Sequence, residues 1–246
     1  MQGMRIAAIS DIHGNSDALD AVLDDIVRRS VDLVVNLGDC FSGPLDAAGT
    51  ARRLAALNLP TVRGNHDRLL HERPEALWES WIVGDLDKAT LDWCRALPLT
   101  LEIEGVLLCH ATPQRDDENW LDRRGKSDRL VARDLSGVDE RAGSVTQAVT
   151  LCGHTHQPRA VRLPDGRRIV NPGAVGAPAY LDTRMTPPFV QQTGAPDARY
   201  AIVERRDGDW LTELISVPYD ASRMIALARD KAAESWVRAL ETGWTA

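Results

Sequence analysis

Along the 246 residues of the chain the spacing of hydrophobic positions changes repeatedly, and each change predicts an element. "MRIAAIS", residues 4–10, is an unbroken apolar run of strand length, as expected of a strand covered on both faces. After it Leu19, Val22, Leu23, Ile26 and Val27 recur at helical spacing. Asn15 or Ser16 stands ready to cap, Asp17 and Asp20 occupy the first turn, and Arg28 and Arg29 the last. A β-α pair is expected there. "VDLVVNLGD" repeats the buried-strand pattern, "LDAAGTARRLAALN" the helical one, and "LPTVRGNHD" predicts a third strand broken by its turn. A helical region rich in tryptophan (Trp78, Trp81, Trp93) follows.

The second half changes period. "LTLEIEGVLLCH" turns at Glu104-Gly105, "AVRLPDGRRIV" at Pro-Asp-Gly, and "YAIVERRDGDWLTELISV" at Asp207-Gly208, which predicts three hairpins in a mixed or antiparallel sheet. Residues 219–243 read as one amphipathic closing helix ending near Gly243. Two segments look irregular, a charged one at 112–146 and a Pro- and Gly-rich one at 176–198, and either is a candidate lid. There is no internal repeat, and the length suits a single α/β domain over residues 1–246.

Composition narrows the function. A formal net charge of -7 argues against a surface that coats a polymeric nucleic acid, so a phosphate-bearing substrate must be drawn by a local site. The N-terminal run is too short for a signal peptide and no stretch reaches membrane-spanning length, which makes the cytoplasm the expected location, with no membrane partner. Cys40, Cys94, Cys109 and Cys152 form no C-x-x-C pair and are expected as buried, reduced thiols.

The chemistry sits where strands end. "SDIHGN" (10–15), "LGDC" (37–40), "RGNHD" (63–67), "CHATP" (109–113) and "CGHTHQP" (152–158) each follow an apolar run, and loops leaving strand ends in α/β sheets converge on one edge. These motifs hold five of the six histidines; only His71 is left over, as a surface residue. Asp-x-His and His-x-His put both side chains on one face of a strand end, where they can grip one cation. The collected set is Asp11, His13, Asp39, Asn65, His110, His154 and His156, too many ligands for one ion and about right for two sharing a carboxylate. Oxygen and imidazole donors without thiolate suit two divalent transition-metal ions, Mn, Fe, Zn, Co or Ni, better than Ca, and Mn is the one expected. "GHTH" is the strongest single signal, and the ordered set is stronger than any part.

The series D-x-H, G-D, G-N-H-D, H, G-H-x-H resembles the calcineurin-like metallophosphoesterase superfamily. "NLGDCFSGP", "VRGNHD", "HATP", "GHTHQP" and "NPGAVG" look like its small prokaryotic phosphodiesterase branch, and the likeness runs from about residue 4 to 217. The resemblance implies a four-layer α/β/β/α sandwich of two mixed sheets with flanking helices. It implies Asp11, His13 and His156 on one metal, Asn65, His110 and His154 on the other, and Asp39 bridging. Nothing about the substrate transfers from residues 112–146.

The expected activity is metal-dependent phosphoester hydrolysis, with a phosphodiesterase on small or nucleotide-like substrates as first choice. Its rivals are a phosphomonoesterase or protein phosphatase, a nuclease of the same superfamily, and a non-catalytic interaction module on the same fold. His66 is assigned as the acid that protonates the leaving group or as the group that stabilises the equatorial oxygens, with Asp67 either orienting its ring or capping the next helix. Asn15 either touches phosphate or caps its helix, and Arg115 either pairs with phosphate or is a solvated arginine.

Overall fold

The computed structural model describes residues 3–182 and 188–245. Strand β1 (Arg5–Ile9) leads through a polar turn into helix α1 (Ser16–Arg28), which buries Ala18, Leu19, Val22 and Ile26. β2 (Leu33–Asn36) pairs parallel with β1, and α2 (Ala47–Leu57) packs beside α1. The third strand expected around residues 59–67 shrinks to a single bridge between Asn36 and Thr61. Pro60 has no amide to donate, and the Arg63 amide turns away to the Pro98 carbonyl, so the ladder stops and α3 (Asn65–Glu72) begins. The tryptophan-rich stretch forms α4 (Leu77–Ser80), a 3-10 turn at Val83–Asp85 and α5 (Lys88–Ala96).

The three expected hairpins are present. β3 (Thr100–Ile103) pairs with β4 (Val106–Cys109), β8 (Arg159–Arg162) with β9 (Arg168–Asn171), and β12 (Ala198–Arg206) with β13 (Asp209–Val217). Their chain-order companions are β5 (Asp122–Arg124), β6 (Leu130–Ala132), α6 (Leu135–Ala142), β7 (Val149–Leu151), β10 (Ala179–Asp182) and β11 (Phe189–Gln192). At Glu104-Gly105 and Asp207-Gly208 both turn residues have positive φ, which lets the strands twist into one another.

Two mixed sheets result, ordered β13-β12-β1-β2 and β3-β4-β7-β9-β8. Alternation along each strand sorts its side chains. Ile6 and Ala8 of β1, with Val35 of β2, meet Val106, Leu108, Val149, Leu151 and Val170 between the sheets, while Ala7 and Ile9 face α1. On the outer side of the second sheet Cys109 and Ile169 pack against Trp120, Leu121, Val138 and Ala142. The layers are therefore α/β/β/α, and the parallel ends of both sheets open toward the same edge.

Two expectations change. Residues 112–146 are not irregular: they form the β5-β6 hairpin and α6, and their apolar minority supplies the outer layer just described. The closing helix over 219–243 is split into α7 (Ser222–Asp230) and α8 (Glu234–Thr242) by Ala232 in a left-handed conformation. The break lets Met224 and Ala228 from one half and Trp236, Val237 and Leu240 from the other enter one cluster with Leu45 and Ala177, which a single straight rod could not do. No described helix is long and apolar enough to cross a membrane.

Candidate metal centre

The motif loops are stitched together before any ligand is considered. In the first sheet the Asp11 amide donates to Gly38 O, His13 to Asp39 O and Gly14 to Cys40 O, each at 3.0 Å, so the loops after β1 and β2 zip together. The Gly153 amide donates to His110 O at 2.6 Å in the second sheet, and the His154 amide crosses to Asp11 Oδ2 at 3.1 Å. This tight path strains the backbone. Asp11, His13, Asp39, His154 and His156 have φ of 54°, 49°, 56°, 68° and 56°. Non-glycine residues there cost about 1 kcal/mol or more each, and such strain clusters at functional sites. Gly64 is required by the same crowding, since a Cβ there would stand 2.1 Å from Asp39 Oδ1.

Two donor sets come together: Asp11, His13 and His156, and Asp39, His110 and His154, with the ligand atoms inside each set within 4.8 Å of one another. Local hydrogen bonds fix which atom each residue offers. His13, His110 and His156 donate from Nδ1 to the carbonyls of Ser42 (2.7 Å), Leu37 (2.7 Å) and Ala177 (2.8 Å), which leaves the Nε2 lone pair aimed into the cluster. Asp11 commits Oδ2 to the Ser10 hydroxyl and the His154 amide, and Asp39 commits Oδ1 to the His66 amide. Asp11 Oδ1 is buried and accepts no hydrogen bond, while lying 3.2 Å from His156 Nε2 and 3.9 Å from His110 Nε2. Asn65 turns its amide to His154 Nδ1 at 2.9 Å and His110 Nε2 at 3.3 Å. With the oxygen inward it faces only acceptors, an arrangement that a cation among them would satisfy. An unpartnered carboxylate oxygen and several lone pairs converging on one point fit divalent cations.

The charges agree. Burial alone would raise Asp11, but the His156 ring outweighs it and holds the carboxyl at about 2. Asp39 likewise sits well below the usual carboxylate range, because His110 and His66 outweigh its burial. His110 is the reciprocal case: burial lowers it, yet Asp39 lifts it to about 10. Burial pushes His13 down to about 3, helped by His156, and His154 down to about 4, helped by His110. In the absence of a cation the Asp39–His110 pair therefore holds a proton, while His13 and His154 are neutral donors.

The remaining expected residues separate. His66 lies at the cleft beside Asp39 and Asn65, stacked on Trp78 with centroids 4.8 Å apart and planes 12° apart. Asp67 does not orient it. Its Oδ2 accepts from the Asp39 and Gly64 amides (2.8 and 2.9 Å) and its Oδ1 from Cys40 (3.0 Å), so it caps α3 and ties that helix to the β2 loop. Burial and the Asp39 charge push its carboxyl up to about 6 against those three bonds. The partner of His66 is Glu79, whose Oε1 is 2.5 Å from Nδ1. Sequence reasoning missed it; the available signal was an acidic residue between Trp78 and Trp81 in an apolar helical stretch.

Asn15 takes the capping alternative. Its oxygen caps α1 at Ala18, and its NH2 donates to Gly176 O and the Tyr219 hydroxyl. Arg115 is 62 % exposed and paired with Asp117, and His71, half-buried, lies away from the cluster beside Arg95. The four cysteines are free and buried, Cys40 and Cys109 directly behind the ligands they adjoin in sequence.

The cluster opens into a cleft of about 630 Å³ between α3 and α4 on one side and β10 on the other, lined by Asn65, His66, Leu69, Leu77, Trp78, Tyr180 and Leu181 among others. Residues 4–190 match the model of the calcineurin-like phosphoesterase superfamily domain. The chain belongs to that superfamily. This phosphoesterase is a phosphoester hydrolase of a metal-dependent family. It is similar to an uncharacterized protein of Methanocaldococcus jannaschii, 25% identical over 239 residues and 89% of each chain. Among solved structures it resembles a metallophosphoesterase from Sphaerobacter thermophilus (TM-score 0.75, 25% identity, 98% of this chain and 99% of that one). A hypothetical protein from Pyrococcus horikoshii shares the fold (TM-score 0.74, 17% identity, 99% and 100%).

Proposed function

We propose that this phosphoesterase is a phosphodiesterase for small or nucleotide-like substrates, working at a dinuclear centre in which Asp11, His13 and His156 hold one ion, Asn65, His110 and His154 the other, and Asp39 is shared. The observation that supports it best is Asp39 Oδ2, which is 3.2 Å from His110 Nε2 and 3.9 Å from His13 Nε2, between the two donor sets. Mixed imidazole and oxygen donors suit Mn, Fe, Zn, Co or Ni, and Mn is the ion chosen for the test. When bound, such ions acidify a water to supply the nucleophile and neutralise charge on the phosphoryl oxygens.

The chain's own groups supply the rest. His66 is the acid for the departing ester oxygen, and with Nδ1 held by Glu79 the transfer falls to Nε2. Trp78 covers one face of the ring and keeps water from it. The diester preference follows the likeness of the motifs to the phosphodiesterase branch. The four free thiols support a reducing, cytoplasmic setting.

The test is turnover of bis(p-nitrophenyl) phosphate against p-nitrophenyl phosphate, with Mn in excess and again after a chelator, alongside metal analysis. Diester preference, loss with chelator and two ions per chain that both disappear in Asp39→Ala are expected. A faster monoester rate, or one retained ion in Asp39→Ala, would refute the corresponding part.

A further inference from the structure

Among the contacts that hold His66, one is made to its backbone and two to its ring, and none of these comes from the G-N-H-D motif. Its backbone amide donates to Asp39 Oδ1 at 2.8 Å. The other two come from α4, a single helical turn in which Trp78 stacks on the ring face and the neighbouring Glu79 meets Nδ1. Glu79 is 1 % exposed, so its carboxylate lies out of water beside this imidazole. Asp67, the acid adjacent in sequence, has both oxygens on main-chain amides and cannot take that place.

We propose that Glu79 is the positioning residue of the leaving-group acid. By accepting from Nδ1–H it selects the tautomer and rotation in which Nε2 carries the exchangeable position toward the cleft, and Trp78 holds the ring plane while it does so. Glu79 lines the cleft behind the ring, and its carboxylate meets His66 Nδ1, so it acts through His66. Nothing in the G-N-H-D motif specifies this acid, since it arrives from a separate helix that also walls the cleft through Leu77 and Trp78. The inference rests on His66 being the acid.

The Mn-loaded protein and its variants are assayed on two diesters of one shape, diphenyl phosphate, whose leaving phenol needs a proton, and bis(p-nitrophenyl) phosphate, whose leaving group needs it far less. Glu79→Met keeps the volume and removes the acceptor. It is expected to lower kcat on diphenyl phosphate about 10- to 100-fold, the range for a misplaced catalytic group, with KM and metal content unchanged and a much smaller loss on the nitrophenyl diester. Glu79→Gln, whose amide oxygen can still accept from Nδ1–H, is expected to recover most of the rate. In a His66→Ala background Glu79→Met should cost nothing further. Equal losses on both diesters, or the same loss with His66 absent, would overturn the inference in favour of a purely structural Glu79. A slow His66→Ala with a normal Glu79→Met would sink the positioning role alone, whereas a normal His66→Ala would sink the acid assignment beneath it.

Discussion

Asp67→Ala removes the knot that ties the Asp39 loop to the Asn65 turn. The carboxylate is fully buried, and its loss strands the amides of Asp39, Cys40 and Gly64, which it accepts at 2.8, 3.0 and 2.9 Å. A buried donor left without a partner costs about 1–3 kcal/mol. Three would cost about 3–9 kcal/mol if nothing moved, but the vacated space admits water and the repulsion from Asp39 disappears, so the low end, about 3 kcal/mol, is expected. In a chain of this length that lowers the melting temperature by about 6–12 °C. Asp67→Asn keeps one acceptor oxygen and turns an NH2 toward one of the three amides, so it should fall between wild type and Ala. Because the stranded amides carry Asp39 and lead into Asn65, metal affinity should drop with stability. The assay is calorimetric melting of the metal-free protein together with Mn titration of each variant. An unchanged melting temperature and Mn affinity, combined with the leaving-group selectivity of His66→Ala, would refute this account and return Asp67 to the side of His66.

Three further outcomes follow from the same contacts. Gly64→Ala should lose Mn binding, because the new Cβ would collide with Asp39 Oδ1 and Asp39 N, 2.1 and 2.5 Å away; metal analysis of the purified variant checks it, and full occupancy would count against the crowding argument. Metal-free protein should lose stability as pH falls below 6.5 toward 4, since His13 and His154 are depressed from 6.5 to about 3 and about 4, so the unfolded chain takes up protons first. Melting across that window reads the slope, and a rise in stability on acidification would contradict it. Arg115→Ala should leave kcat/KM on the diester within about twofold, as expected of an exposed surface pair, and a large loss would restore it as a phosphate ligand.

How far the sequence carries depends on whether a property is local. Strand β1 and helix α1 were legible because apolar spacing alone decides which face of an element can be buried. The hairpins were legible because Glu104-Gly105 and Asp207-Gly208 accept positive φ in adjacent positions. The candidate donor cluster was legible for a related reason: a polar residue placed at the end of a buried strand has one edge to point at, and Asp11, Asp39, His110 and His154 come together there. Asp67, Asn15 and Glu79 were different. Each carries a side chain able to serve more than one partner, and the sequence cannot say which amide or imidazole packing will bring within 3 Å. Distant elements made that choice. The β2 loop took Asp67 from His66, the Tyr219 hydroxyl and the Gly176 carbonyl occupied Asn15, and the turn of helix between two tryptophans delivered Glu79. The break at Ala232 belongs with them, because no Gly or Pro marks it in the sequence and only the cluster around Trp236 rewards the bend. Short-range patterning therefore determined the elements and the metal-binding edge, while partner choice among buried polar groups, a competition between contacts far apart in the chain, was decided only by tertiary packing.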